Sequence, residues 1–147
     1  MPTRTARTAW DGGFQDGTGQ VELSTSKLAT FQVSFPKRSS DDGGGATNPE
    51  ELLAASHTAC YAMQLSAFLE QRDATPVAVE VTADVSLGSD PNGGFKLTGI
   101  ALTVRGEVDG IDEAGFKAAA DDAKTNCPIS KALTGVDISL DAALESA

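Results

Sequence analysis

Apolar and polar residues alternate most regularly where Val77, Val79, Val81, Ala83, Val85 and Leu87 are interleaved with Ala78, Glu80, Thr82, Asp84 and Ser86. A period of two predicts a long strand with one buried face. Pro91-Asn92-Gly93-Gly94 then supplies turn residues, and Phe95 and Leu97 open a returning strand. Its apolar parity shifts to Ile100, Leu102 and Val104, which predicts a bulge near Gly99. Alternation returns at Val136, Ile138, Leu140 and Ala142, and two weaker strands are predicted over Val21–Leu28 and Phe31–Phe35.

Between the strands the period changes. Asn48-Pro49-Glu50-Glu51 reads as a helix start: Asn as cap, Pro in the first turn, and acids at the positive end of the dipole. The helix is expected to run to about Gln71. Leu52, Leu53, Ala55, Ala59, Cys60, Met63, Leu65, Phe68 and Leu69 spread too widely around it for one narrow stripe, so it should be buried on most sides. A second helix is expected from Asp112 to Lys124, with Phe116, Ala119, Ala120 and Ala123 on one face, stopping just before Cys127. The order of elements reads as an α+β fold in a single domain over residues 1–147. One sheet cannot wrap the central helix on all sides, which predicts a partner subunit covering the remainder.

Composition narrows the possible functions. Eleven Lys and Arg against 21 Asp and Glu give a net charge of −10, unfavourable for nucleic acid or anionic membrane surfaces. No segment approaches the roughly 18 apolar residues of a membrane span, and residues 1–9 lack the apolar run of an export signal. A cytoplasmic location is expected, where Cys60 and Cys127 should rest as thiols. With one histidine, His57, and no Cys-x-x-Cys spacing, neither metal nor cofactor is expected.

Locally, each cysteine has two readings. Cys60, among small residues on the central helix, is an inert core thiol or a reactive one, and the burial habit of free cysteine favours the first. Reactivity there needs a nearby cation, because burial raises a thiol pKa. Cys127 precedes Pro128 and so either caps a short helix or has its pKa lowered by the helix dipole. His57 lies three residues before Cys60, on about the same face, and reads as a satisfied core group rather than a general base.

The run Thr47-Asn48-Pro49-Glu50-Glu51-Leu52-Leu53-Ala54-Ala55-Ser56-His57-Thr58-Ala59-Cys60, followed by Asn126-Cys127-Pro128-Ile129-Ser130-Lys131-Ala132-Leu133, resembles the two signatures of the OsmC/Ohr family of peroxidases. Order, spacing and thiol positions match. The resemblance implies an intertwined homodimer of antiparallel sheets around central helices, with active sites at the subunit interface. It implies that Cys60 attacks an organic hydroperoxide and becomes a sulfenic acid, that Cys127 captures it as a disulfide, and that a dithiol such as a dihydrolipoyl group reduces the product. The Ohr branch carries an arginine in a Gly-Gly-Arg-like segment, but Trp10-Asp11-Gly12-Gly13-Phe14 has none. The OsmC branch draws its arginine from the loop before Asn-Pro-Glu, which assigns the role to Arg38 and its partner carboxylate to Glu50.

Ten residues separate Glu50 from Cys60, about 15 Å along a continuous helix, so Arg38 and Glu50 are expected to serve Cys60 of the other chain. A pocket lined by Leu52, Met63 and Phe68 would suit alkyl hydroperoxides. Two other functions compete. A noncatalytic dimer that binds apolar ligands or protects under stress leaves the paired cysteines unexplained, and hydrolysis by a Cys-His pair lacks an orienting third group.

Overall fold

The computed structural model describes residues 1–145 and divides into two units, residues 1–52 and residue 53 onward. In the first unit, β1 (Arg7–Asp11), β2 (Thr18–Glu22) and β3 (Thr30–Val33) form an antiparallel sheet in that order. Gly19 lies opposite Trp10, and a Cβ there would come within 2.8 Å of Trp10 Cε3, so glycine is needed for the indole to cross the sheet. The strand expected over Val21–Leu28 ends at Glu22: Leu23 N donates to Ala29 O at 3.1 Å, and Lys27 takes a left-handed φ of 61° in the reversal. The next strand also stops short of its expected end at Phe35. Ser34 Oγ accepts from Lys37 N at 3.4 Å and begins α1 (Phe35–Arg38), with Pro36 in its first turn.

The Asn48 cap forms as expected, its Oδ1 accepting from Glu51 N at 2.8 Å, and α2 runs without a break from Pro49 to Glu70. Its residues from Leu53 onward belong to the second unit, where β4 (Thr75–Ser89) and β5 (Phe95–Asp109) pair antiparallel. The 90–94 turn is closed by Asp90 N to Gly94 O and Gly93 N to Asp90 O, both 2.9 Å. Ser86 pairs with Gly99 and Leu87 with Leu97, so Thr98 is the extra residue of the bulge that the parity shift predicted. A second irregularity leaves Val77 unpaired and 56% exposed, and the inward alternation therefore begins at Val79 rather than Val77.

Asp112 Oδ1 caps α3 (Glu113–Asn126) by accepting from Gly115 N at 2.8 Å, and Cys127 then leads directly into α4 (Pro128–Ala132). The chain returns as β6 (Ile138–Leu144), which pairs with β5 in parallel and so departs from the all-antiparallel expectation. The intervening helices carry the chain back to the end of the sheet where β5 began, as a parallel crossover requires.

The core of this unit joins Tyr61, Leu65 and Leu69 of α2 to Ile100, Leu102 and Val104 of β5 and to Phe116, Ala119, Ala120 and Ala123 of α3. His57, Tyr61, Leu65 and Leu69 recur every fourth residue and form the fully buried stripe of α2. Each buried leucine contributes about 1.5–3 kcal/mol relative to exposure. The expected burial on most sides is not met within one chain: Ala55 and Ala59 are exposed, and Met63 is 74% exposed. No helix of the described residues is long and apolar enough to cross a membrane.

Candidate active site

The two cysteines, 67 residues apart in sequence, meet in the second unit. Cys127 Sγ lies 3.3 Å from Cys60 Sγ, and both residues are free thiols. The fold produces this contact from two sides. The Cys127 amide donates to Ala123 O at 2.8 Å, which closes α3, and Cys127 has the extended ψ of 124° favoured before a proline. Its side chain makes no capping hydrogen bond to α4 and faces Cys60 instead.

Cys127 is completely buried, whereas Cys60 is partly accessible. Burial pushes the Cys60 thiol above its usual pKa, and the neighbouring Cys127 adds to the rise, while a backbone hydrogen bond from Ile129 favours the thiolate. The amide at the start of α4 thus acts on Cys60. Ile129 could not be singled out from sequence, because the interaction uses its backbone.

His57 is fully buried, and its Nε2 lies 2.8 Å from Ser130 Oγ. Nδ1 has no hydrogen-bond partner among the described residues, so this core histidine is only half satisfied. Burial lowers its pKa and keeps the ring neutral. Sequence reasoning assigned no part to Ser130; the available signal was that it follows Cys127 by the same three residues by which His57 precedes Cys60. Beside this pair, Tyr61 donates from Oη to Ala120 O at 2.8 Å, and burial raises its phenol pKa so that it remains a donor.

In the first unit, the other two site candidates are brought together. Arg38 donates from Nη2 to Glu50 Oε1 at 2.6 Å and from Nε to Oε1 and Oε2 at 3.2 and 3.1 Å. This two-pronged grip fixes the guanidinium plane, and the Glu50 side chain is only 12% exposed. Arg38 also lines an apolar cleft of about 340 Å³ with Trp10, Phe14, Val33, Phe35 and Leu52. The Phe14 and Phe35 rings meet with centroids 4.0 Å apart and their planes tilted by 36°. Of the three apolar residues expected around a substrate, Leu52 lines this cleft, Met63 is exposed, and Phe68 packs on the core of the second unit with the Arg72 guanidinium 5.8 Å above its ring. Among the described residues, no cluster of three or more His, Cys, Asp or Glu side chains is placed to hold a metal ion.

Two thiols in contact, one on α2 and one where α3 meets α4, and a carboxylate-held arginine beside an apolar cleft narrow the class, and residues 41–141 match the family model described as OsmC-like protein. The chain belongs to the OsmC-like family. Among its relatives, it is 39% identical over 137 residues to Peroxiredoxin OsmC of Escherichia coli (strain K12), covering 93% of each chain. It is 43% identical over 102 residues to Organic hydroperoxide resistance protein OhrA of Bacillus subtilis (strain 168), covering 67% of this chain and 68% of the relative. Among solved structures, an organic hydroperoxide resistance protein OsmC from Legionella pneumophila superposes with a TM-score of 0.75 at 32% identity, covering 95% of this chain and 96% of that one. OhrB of Bacillus subtilis gives 0.74 at 29% identity, covering 94% and 97%.

Proposed function

We propose that this protein is a thiol-dependent peroxidase that reduces organic hydroperoxides to alcohols. The observation that carries the proposal is the 3.3 Å contact between the Cys60 and Cys127 sulfurs, one partly accessible and the other sealed in the core. The accessible thiol is suited to meet the peroxide and the sealed one to wait for its oxidised neighbour.

In the first step, the Cys60 thiolate attacks the terminal peroxide oxygen, an S–O bond forms, the O–O bond breaks, and the alkoxide takes a proton to leave as alcohol. In the second, Cys127 attacks the Cys60 sulfenic acid, the S–S bond forms and water departs. The peroxide gains two electrons and the two thiols lose them. A dithiol, of which a dihydrolipoyl group is an example, then reduces the disulfide.

Arg38 supplies the positive charge that the thiolate and the departing oxygen both need, and Glu50 holds its plane. Ten residues separate Glu50 from Cys60, a length over which a continuous helix rises about 15 Å. We therefore assign Arg38 and Glu50 to the Cys60 of a second subunit in a homodimer. The face of α2 bearing Ala55, Ala59 and Met63, left exposed in one chain, is the surface such a partner would cover. The apolar cleft beside Arg38 favours an alkyl hydroperoxide over hydrogen peroxide.

Steady-state turnover with dihydrolipoamide as reductant tests this function. Consumption of cumene hydroperoxide with a kcat/KM well above that for hydrogen peroxide is expected; equal rates for the two peroxides would remove the assigned substrate class.

A further inference from the structure

We propose that the buried His57–Ser130 hydrogen bond is a positioning device that aligns Cys127 with Cys60 for disulfide formation. Its catalytic use rests on the peroxidase reading; its geometry does not. His57 precedes Cys60 by three residues on α2, and Ser130 follows Cys127 by three on α4, so the 2.8 Å bond and the 3.3 Å sulfur contact tie the same two segments about one turn apart. Two ties fix both the spacing and the rotation of α4 against α2, where one sulfur contact leaves the rotation free.

The choice of side chains points the same way. His57 is 0% exposed and Ser130 7%, and they are the two polar side chains among the buried residues described. An imidazole and a hydroxyl are costly to bury, and the histidine leaves Nδ1 without a partner. An aliphatic pair would fill such a space at lower cost but would permit sliding, whereas a hydrogen bond is directional. The α4 backbone transmits the constraint: Lys131 N donates to Cys127 O at 2.9 Å, so Ser130 and Cys127 move as one rigid turn.

The aligned step is balanced within the chain and its substrate. Cys127 Sγ forms a bond to the Cys60 sulfur, the Cys60 S–O bond breaks, and the hydroxyl leaves as water with the Cys127 proton. The sulfurs close from 3.3 Å to a bond of roughly 2.05 Å. A misplacement of about 1 Å can cost such a reaction on the order of a hundredfold.

The test is the thiol–disulfide equilibrium of the full-length protein in glutathione buffers, which gives the effective concentration of one cysteine at the other. Ser130→Ala should lower it by about tenfold or more, and Ser130→Thr, which retains the hydroxyl, should stay within about threefold of the unaltered protein. In a Cys127→Ser background, Ser130→Ala should slow sulfenic acid formation at Cys60 by less than it lowers the effective concentration, since that step draws on α4 only through the Ile129 amide. Should Ser130→Ala fail to fold, His57→Leu against His57→Gln gives the same contrast, since Gln keeps a polar atom near the Nε2 position. An unchanged effective concentration in the hydroxyl-deleted protein overturns the proposal, as does equal damage from Thr and Ala. If tert-butyl hydroperoxide does not oxidise the unaltered protein, the peroxidase reading fails, and the glutathione equilibrium still decides the positioning role.

Discussion

The Arg38 guanidinium grips the Glu50 carboxylate in a two-pronged ion pair, with Nη2 2.6 Å from Oε1. Its plane is therefore set before any substrate arrives. Arg38→Ala is expected to lower kcat/KM for tert-butyl hydroperoxide by about 10²–10³-fold, the usual loss when a charge-stabilising donor is removed. Alkylation of Cys60 by iodoacetamide should then need higher pH than in the unaltered protein, because the burial that raises this thiol loses its opposing charge. Arg38→Lys should recover only part of the rate, since a single ammonium cannot reproduce the fork. An unchanged alkylation profile in Arg38→Ala would remove this arginine from the site.

The two-subunit assignment makes a separate prediction. Neither a Cys60→Ala nor an Arg38→Ala homodimer should turn over efficiently, but their mixed dimer should contain one site with both residues intact. After mixing is confirmed by native mass spectrometry, recovery of about half the activity of the unaltered protein per mixed dimer is expected. Background activity in the mixed dimer would place both residues of a site on one chain.

Much of this architecture is written in short-range signals. Asn48 and Asp112 each sit at a helix start with an acid close behind, and both make the expected capping bonds. The parity change at Gly99 marks a bulge that falls at Thr98. What stayed hidden depends on distant partners or on backbone. β1, Arg-Thr-Ala-Trp-Asp, is exposed at all five residues and so lacks the alternation that burial imposes. The parallel setting of β6 follows from where α3 and α4 deliver the chain. The cysteine pairing came from family resemblance, and the His57–Ser130 bond joins residues 73 apart with no local periodicity to announce it. The Ile129 hydrogen bond to Cys60 uses a main-chain group that every residue except proline carries.

Packing in the second unit gives a stability prediction. Gly106 of β5 lies under the Phe116 ring, where an added Cβ would come within 2.5 Å of Cε2, and that ring is completely buried. Gly106→Ala should therefore destabilise the protein by about 1–3 kcal/mol in urea unfolding, the range for overpacking a filled core. A gain in stability would mean that the ring can move aside.

His57 predicts a pH dependence of stability. Burial depresses its pKa below the ordinary value of about 6.5, so below that pH the unfolded chain binds a proton that the folded chain resists. The contribution is present above about 6.5 and is lost as pH falls toward the depressed value. Unfolding free energy should thus decline more steeply between pH 7.5 and 5 in the unaltered protein than in His57→Gln. Parallel declines would show that His57 takes up its proton equally well in both states.

The central claim, that Cys60 reacts with peroxide and Cys127 closes on it, is most directly tested by intact mass after one equivalent of tert-butyl hydroperoxide in nonreducing buffer. Loss of roughly two hydrogens per chain is predicted for the unaltered protein, with one added oxygen, trapped by dimedone at Cys60, in Cys127→Ser. An unchanged mass, or oxygen added at a residue other than Cys60 with both thiols still free, would contradict it.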